Sequence, residues 1–361
     1  MIRKLALPTV LLAALLLPAA ASAAPRMEFA LQDDAVFVDQ RWMARDQALD
    51  HARDLGTKRI RVNILWARSL VSGADQRRPP AAGAQYDFSK VDALQKAAAA
   101  RGIKLQLTIT GPAPAWATKD GKVGANQPDP VKFGAFVRTV AAHFKGRVDR
   151  YSVWNEPNLS AWLAPSKTAP RQYRTLYKSA YTAIKTVDPK SKVLFGELAP
   201  NRDGRTIAPL KFLRQAAPRN AKLKADGLAQ HAYQFTVAPT KRSGGPEDTP
   251  ISQMPRLTKA LDQLAKSKSL STPKGKGLDV YVTEFGYLTA GNRAVSQSVR
   301  AAWLRSAYDL VRKNKRVKQI LQFQLVDGTP DQLWHTAIID NRGRPMGAYG
   351  GLAKAAASIA R

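Results

Sequence analysis

Tyr151-Ser-Val-Trp-Asn-Glu-Pro-Asn158 starts as a short apolar run and ends on an amide, Asn155, a carboxylic acid, Glu156, and a proline. A second run, Leu278-Asp-Val-Tyr-Val-Thr-Glu-Phe-Gly286, closes in the same way on Glu284. β-Branched and aromatic residues make both runs strand-prone. Pro157 in one and Phe285-Gly286 in the other stop the strand, so each carboxylate is expected where a buried strand gives way to a loop. One glutamate at such a junction reads as a solvated or ion-paired group. Two, each behind an apolar run, would be costly to bury without a purpose, and carboxyl pairs in one environment mark sites of acid–base chemistry.

The same unit repeats along the chain. Strand candidates are Glu28–Leu31 or Val36–Val38, then Ile60–Ile64, Leu105–Ile109, Tyr151–Val153, Val193–Phe195, Leu228–Gln230, Val280–Val282 and Ile320–Phe323. Helical stretches fall between them: Asp46–Leu55, Val91–Arg101, Pro130–Phe144, Tyr173–Val187, Leu257–Leu264, Val299–Lys313 and Leu352–Ala360. Ser89 is a candidate N-cap, Asp129-Pro130 puts proline in a first turn, and Gly56, Gly102 and Gly146 suit helix C-terminal positions. Alternating strands and helices of this kind predict a single (β/α)8 TIM barrel of the α/β class. No Pro/Ser/Gly-rich linker interrupts it. The longest irregular pieces, Val71–Tyr86 and Thr236–Met254, follow the second and sixth strands, on the face where such barrels carry their sites. They shape a groove there or are surface loops without contact to a ligand.

Arg3 and Lys4, an apolar stretch from Leu5 to Leu17 and Ala21-Ser22-Ala23 make up a secretory leader, so residues 1–24 are expected to be removed and 25–361 to form the barrel, exported and monomeric. The apolar stretch is too short for the ~20 residues of a spanning helix, and no later segment serves, so no membrane span is expected. The chain has no cysteine, which excludes disulfides and thiolate metal sites. Lys+Arg 57 against Asp+Glu 27 give a formal net charge of +30. Such a field favours an acidic polysaccharide or electrostatic association with an anionic envelope. Equally, basic residues such as Lys178, Lys185, Lys190, Lys211, Arg312 and Lys313 decorate solvent-facing helices. Nucleic acid is not an expected partner, because no recognised binding module accompanies the charge.

Several chemistries lack their residues. The four histidines, His51, His143, His231 and His335, have no metal-ligand spacing, and no HExxH or EF-hand loop occurs, so no metal or other cofactor is expected. No Gly-rich phosphate loop follows a strand, and a GxSxG elbow is absent.

The chain resembles clan A of the glycoside hydrolases, families 5 and 39 most of all. The resemblance rests on Trp154-Asn155-Glu156-Pro157 at strand four, Thr283-Glu284-Phe285-Gly286 at strand seven, Arg61-Val62-Asn63-Ile64-Leu65-Trp66 at strand two and His231-Ala232-Tyr233 at strand six. Leu107-Thr-Ile-Thr-Gly-Pro-Ala-Pro-Ala-Trp116 and the tail from Asp327 through Trp334, Asp340, Gly343 and Tyr349 add to it. It spans nearly all of residues 25–361, and the order and spacing of its motifs make it specific.

The resemblance implies a retaining β-glycosidase working by double displacement, with Glu156 as acid/base and Glu284 as nucleophile. Burial beside the negative Glu284 would help Glu156 keep a proton until substrate binds. Asn155 would bond the sugar 2-hydroxyl, or else serve as a polar cap for its loop. The resemblance gives Arg61 the task of keeping Glu284 a carboxylate, although Arg59, Arg61 and Asn63 alternate and any of them could face the interior; Arg59 also suits an ion pair at the barrel bottom. Tyr233 would donate to the nucleophile and His231 would line the site; both also read as core residues with satisfied polar atoms. Trp66, Trp116, Trp162 and Trp334 are expected sugar platforms, Trp334 foremost, though each alone could be core, as Trp42 and Trp303 are expected to be. The implied partner is a poly- or oligosaccharide. The competing reading is a carbohydrate-binding or envelope-associated barrel with little catalysis, against which both intact carboxylates count.

Overall fold

The structure, a computed structural model, describes residues 27–80, 86–329 and 334–360. The expected leader lies outside these residues. Eight parallel strands close into a barrel: β1 Glu28–Gln32, β2 Arg59–Leu65, β3 Lys104–Thr110, β4 Arg150–Val153, β5 Lys192–Leu198, β6 Gly227–His231, β7 Val280–Glu284 and β8 Val317–Phe323. A helix follows each strand: α1 Arg45–Asp54, α2 Ser89–Ala99, α3 Pro130–His143, α4 Ala169–Val187, α5 Pro209–Ala216, α6 Met254–Lys266, α7 Gln297–Arg312 and α8 Tyr349–Ala360. The architecture is the expected (β/α)8 barrel.

Three local expectations change. The alternative first strand, Val36–Val38, begins inside a one-turn helix, Asp34–Phe37, because the Asp33 side chain accepts the Val36 amide and caps that turn. Ser89 is the first residue of α2 and not its cap; the Asp87 carboxylate takes up the Ser89 amide at 2.8 Å. Helix α5 has no counterpart among the expected helices, because eight residues offer only about two turns to read. Asp129 behaves as its sequence suggests, accepting the amides of Val131 and Lys132 at 2.8 and 3.0 Å while Pro130 opens α3.

Strand alternation sorts the side chains. Leu105, Leu107 and Ile109 of β3 join the main apolar core beneath the helices, packed there with Phe133, Phe136 and Val140 of α3 and Tyr173, Leu176 and Tyr177 of α4. Burial of each large apolar side chain contributes about 1.5–3 kcal/mol, and this layer dominates stability. The opposite positions line the barrel interior, which is polar through most of its height. Near the bottom, Arg59 and Arg150 share Glu28, and Arg150 also bonds Gln319. Leu194, Ala229 and Tyr281 form a thin apolar layer, with Arg150 over the Tyr281 ring at 4.5 Å. At the carboxyl end Gln32, Arg61, Thr108, Ser152, Glu197, His231 and Thr283 are all buried. Barrel interiors are ordinarily filled by Val, Ile and Leu, so a polar upper layer points to use and not to packing.

Closure joins the two ends of the sequence. β1 pairs with β8 from Glu28↔Gln319 to Gln32↔Phe323, and the Asp33 carboxylate accepts the amides of Leu325 and Val326 at 3.0 and 3.1 Å.

Candidate active site

The turn after β4 sets Glu156. Trp154 and Glu156 have φ of +66° and +38°, left-handed conformations that non-glycine residues hold only under tertiary constraint. The constraint is visible: the amides of Trp154, Asn155 and Glu156 donate to Ile109 O (2.8 Å), Thr110 Oγ1 (2.9 Å) and Glu197 O (2.9 Å). Glu284 is the last residue of β7 and only 9% exposed. One oxygen of Glu156, one of Glu284 and a ring nitrogen of His231 lie within 4.8 Å of one another.

Arg59, Arg61 and Asn63 all point inward, two residues apart on β2, and height separates their tasks. Arg59 pairs with Glu28 at 3.3 Å and Asp149 at 2.7 Å at the bottom. Arg61, fully buried at the top, donates to Glu284 Oε1 and Asn155 Oδ1, both at 2.7 Å, to Thr108 Oγ1 at 2.8 Å and to Gln32, and pairs with Glu197 at 3.3 Å. Tyr233 Oη donates to Glu284 Oε2 at 3.0 Å. Burial and the adjacent Glu284 push the Tyr233 hydroxyl well above its ordinary pKa, so it stays a donor. His231 lies with Nδ1 3.0 Å from Glu156 Oε1 and 3.4 Å from Glu284 Oε2, and Nε2 3.0 Å from Glu197 Oε2. Burial alone would lower its pKa, yet the three carboxylates outweigh that and hold it up to about 9.

Glu197 escaped sequence reading. Period-two alternation on β5 turns Leu194 and Gly196 inward and would turn residue 197 out. A bulge intervenes: Gly196 pairs with Ala229 and Leu198 with Gln230, so Glu197 is the extra residue and swings into the barrel. Gly196 has φ +114°, and a Cβ there would lie 2.5 Å from Ala229 O. Burial raises the Glu197 carboxyl, but Arg61, His231 and Ser152 together bring it down to about 2. The only sequence signal was Gly196 inside a strand.

The tryptophans divide. Trp66 is fully buried, stacked on Phe136 at 5.7 Å and edge-on to Trp116 at 5.5 Å, so it is core and offers no face to a sugar, contrary to expectation. A strand-end tryptophan can turn under a loop as easily as over it, and Trp66 turns under. Trp116 is half-buried on the same cluster, with Lys132 over its ring. Trp162, Trp42 and Trp303 are partly buried against the core. Trp334 lies beside the site, its ring 5.2 Å from that of Tyr233 and 5.6 Å from that of Phe235. A cleft of about 480 Å3 lined by Asp34, Asn63, Arg68 and Lys90 opens at the carboxyl ends of β1 and β2. Asn63 Oδ1 is buried in it without a hydrogen-bond partner.

His231, Glu156 and Glu284 are residue types that ligate cations. Here Arg61 and Tyr233 already take both oxygens of Glu284, and a guanidinium at 2.7 Å is the wrong neighbour for a metal. The group fits a proton and hydrogen-bond network better.

A family model described as Cellulase (glycosyl hydrolase family 5) matches residues 25–321. No curated protein matches the sequence. Among solved structures, a family 39 glycoside hydrolase from the gut symbiont Bacteroides cellulosilyticus WH2 is similar at TM-score 0.69 and 19% identity, over 92% of this chain and 64% of that one. The family 39 enzyme from Xanthomonas axonopodis pv. citri is similar at TM-score 0.61 and 19% identity, over 91% and 66%. A monomeric β-xylosidase from Caulobacter crescentus CB15 is similar at TM-score 0.58 and 18% identity, over 91% and 67%. The chain thus spans about two thirds of the length of these glycosidases.

Proposed function

Because the chain belongs to glycosyl hydrolase family 5, we propose that it is an exported retaining β-glycosidase acting on a poly- or oligosaccharide, with Glu284 as nucleophile and Glu156 as general acid/base. One observation carries the stereochemistry: oxygens of the two carboxylates come within 4.8 Å. Retaining enzymes hold their carboxyl groups ~5–5.5 Å apart, whereas inverting ones leave ~6.5–9.5 Å for a water between them.

A Glu284 oxygen attacks the anomeric carbon as the glycosidic C–O bond breaks, and Glu156 gives its proton to the departing oxygen. A glycosyl ester on Glu284 results. Water then attacks the same carbon, Glu156 takes the water proton, and the ester bond to Glu284 breaks. Arg61 and Tyr233 each donate to one Glu284 oxygen and so fix its orientation. Arg61 also anchors the Asn155 carbonyl, leaving the Asn155 NH2 to donate to a sugar hydroxyl. The Phe235 and Trp334 rings, packed on the buried Tyr233, supply an aromatic surface for a pyranose face, and the unpartnered Asn63 Oδ1 suits a hydroxyl donor in the cleft at the ends of β1 and β2. The net charge of +30 is compatible with an acidic glycan, and the site residues suit neutral β-glycans equally.

The test is product analysis on neutral and acidic β-glycans, with anomers read by NMR. Retained anomers are expected, with Glu156→Gln and Glu284→Gln each losing at least about a thousandfold in kcat, and with azide rescuing Glu284→Gly as an α-glycosyl azide. Inverted products, or glycan binding without hydrolysis across the panel, would sink the proposal.

A further inference from the structure

Glu197 is a third carboxylate at the site, and it does not face the cleft. It is fully buried, and its oxygens accept from Ser152 Oγ and Thr283 Oγ1, both at 2.5 Å, and from Thr108 Oγ1 at 3.2 Å. Arg61 at 3.3 Å and His231 at 3.0 Å complete its surroundings, with Gln106 Nε2 at 3.4 Å. Two backbone devices deliver it, the bulge after Gly196 and a φ of +57° at Glu197 itself. Left-handed non-glycine backbone is strained and persists where the surroundings enforce it. A group so placed can act only through its neighbours.

The imidazole shows how. Both nitrogens of His231 face carboxylates, and a neutral ring carries one N–H. We infer that Glu197 is a positioning residue: it holds a proton on His231 Nε2, so that Nδ1 is the nitrogen that exchanges a proton with Glu156. The logic is that of a carboxylate fixing a histidine tautomer and stabilising its cation. The inference rests on the proposed role of Glu156 and extends it.

With Nε2–H fixed, the same number of protons has two arrangements. Either Glu156 is the acid and donates to a neutral Nδ1, or Glu156 is a carboxylate and the imidazolium Nδ1–H donates to it. The contact is 3.0 Å. When the leaving oxygen takes the Glu156 proton, the Glu156 carboxylate left behind meets a ring that Glu197 makes basic. When water is deprotonated, the proton returns to the Glu156–Nδ1 contact, and the cycle balances. Esterification of Glu284 removes one of the negative charges facing Arg61, and Glu197 then remains as its permanent counter-ion. The charged and titratable groups facing His231 are Glu156 after β4, Glu197 on β5, Glu284 on β7 and Tyr233 after β6, with Arg61 on β2 behind the carboxylates. The depressed pKa of Glu197 and the raised pKa of His231 agree with this arrangement.

The experiment uses the full chain, wild type and E197Q, with 15N-labelled histidine and imidazole NMR against pH. In the wild type Nε2 is expected to stay protonated throughout while Nδ1 titrates above neutrality. In E197Q the midpoint should fall by at least about one pH unit, with kcat down about tenfold or more and KM little changed. The loss should be larger for an alkyl leaving group than for an activated aryl one, because only the former needs the acid, and E197D should recover part of it. A deprotonated Nε2 in the wild type, or identical His231 titrations in the two proteins, would overturn the inference. If E197Q does not fold, the wild-type tautomer and E197D decide. A wild type that hydrolyses nothing is a failure of the glycosidase reading, and its His231 titration distinguishes the two failures.

Discussion

Tyr233 and Trp66 show opposite outcomes for aromatic residues near strand ends. The Tyr233 hydroxyl reaches Glu284, so Tyr233→Phe should cost about tenfold to a hundredfold in kcat with little change in thermal stability. Trp66 touches only core, so Trp66→Ala should lose about 3–5 kcal/mol in denaturant titrations, while a milder Trp66→Phe leaves KM unchanged. A KM shift in Trp66→Phe would contradict its assignment to the core. Trp334→Ala should do the reverse, raising KM severalfold with the unfolding midpoint kept. The charged pair at the strand ends was legible because proline and glycine punctuate the strands behind them. Which tryptophan faces a ligand depends on the path of a loop, which local sequence does not encode.

At the level of elements, period-two alternation predicted that Arg59, Arg61 and Asn63 share a face but not their heights, and height is what gives each its partner. The bulge on β5 defeated the same rule. Gly196→Ala should be among the most damaging single-methyl changes in the chain: the new Cβ would meet Ala229 O at 2.5 Å on a backbone at φ +114°. A loss on the order of 1–3 kcal/mol from backbone strain alone is expected in thermal unfolding, with activity falling in parallel as Glu197 moves. A neutral Gly196→Ala would show that β5 tolerates regular pairing. Helix α5 was missed for a plainer reason: eight residues give barely two turns of periodicity to read.

Across the whole molecule, charge links the interior to pH. The Glu197 carboxyl is held at about 2 against a reference of 4.5, so its contribution, about 3 kcal/mol, is present above pH 4.5 and lost as pH falls towards 2. His231 has the opposite sign: with its pKa raised from 6.5 to about 9, its contribution is present below 6.5 and lost as pH climbs through 9. Buried Asp33 and partly buried Asp34 also titrate, pushed up by desolvation to about 6 and about 7. The clean measurement is therefore the stability difference between wild type and E197Q, which should shrink between pH 4.5 and 2; a difference flat over that range would mean that Glu197 is not ionised in the fold. The overall barrel was readable because each βα unit carries its own local pattern. The pairing of β1 with β8 is a different kind of fact, since Asp33 meets Leu325 and Val326 only after the intervening chain has been made. Assembly of this protein therefore ends with its longest-range step: a nascent chain that stops after α7 has an open sheet edge on β1 and another on β7, and ring closure must wait for residues 317–323. A chain truncated at Arg312 should accordingly be cut rapidly by protease, where the complete one resists.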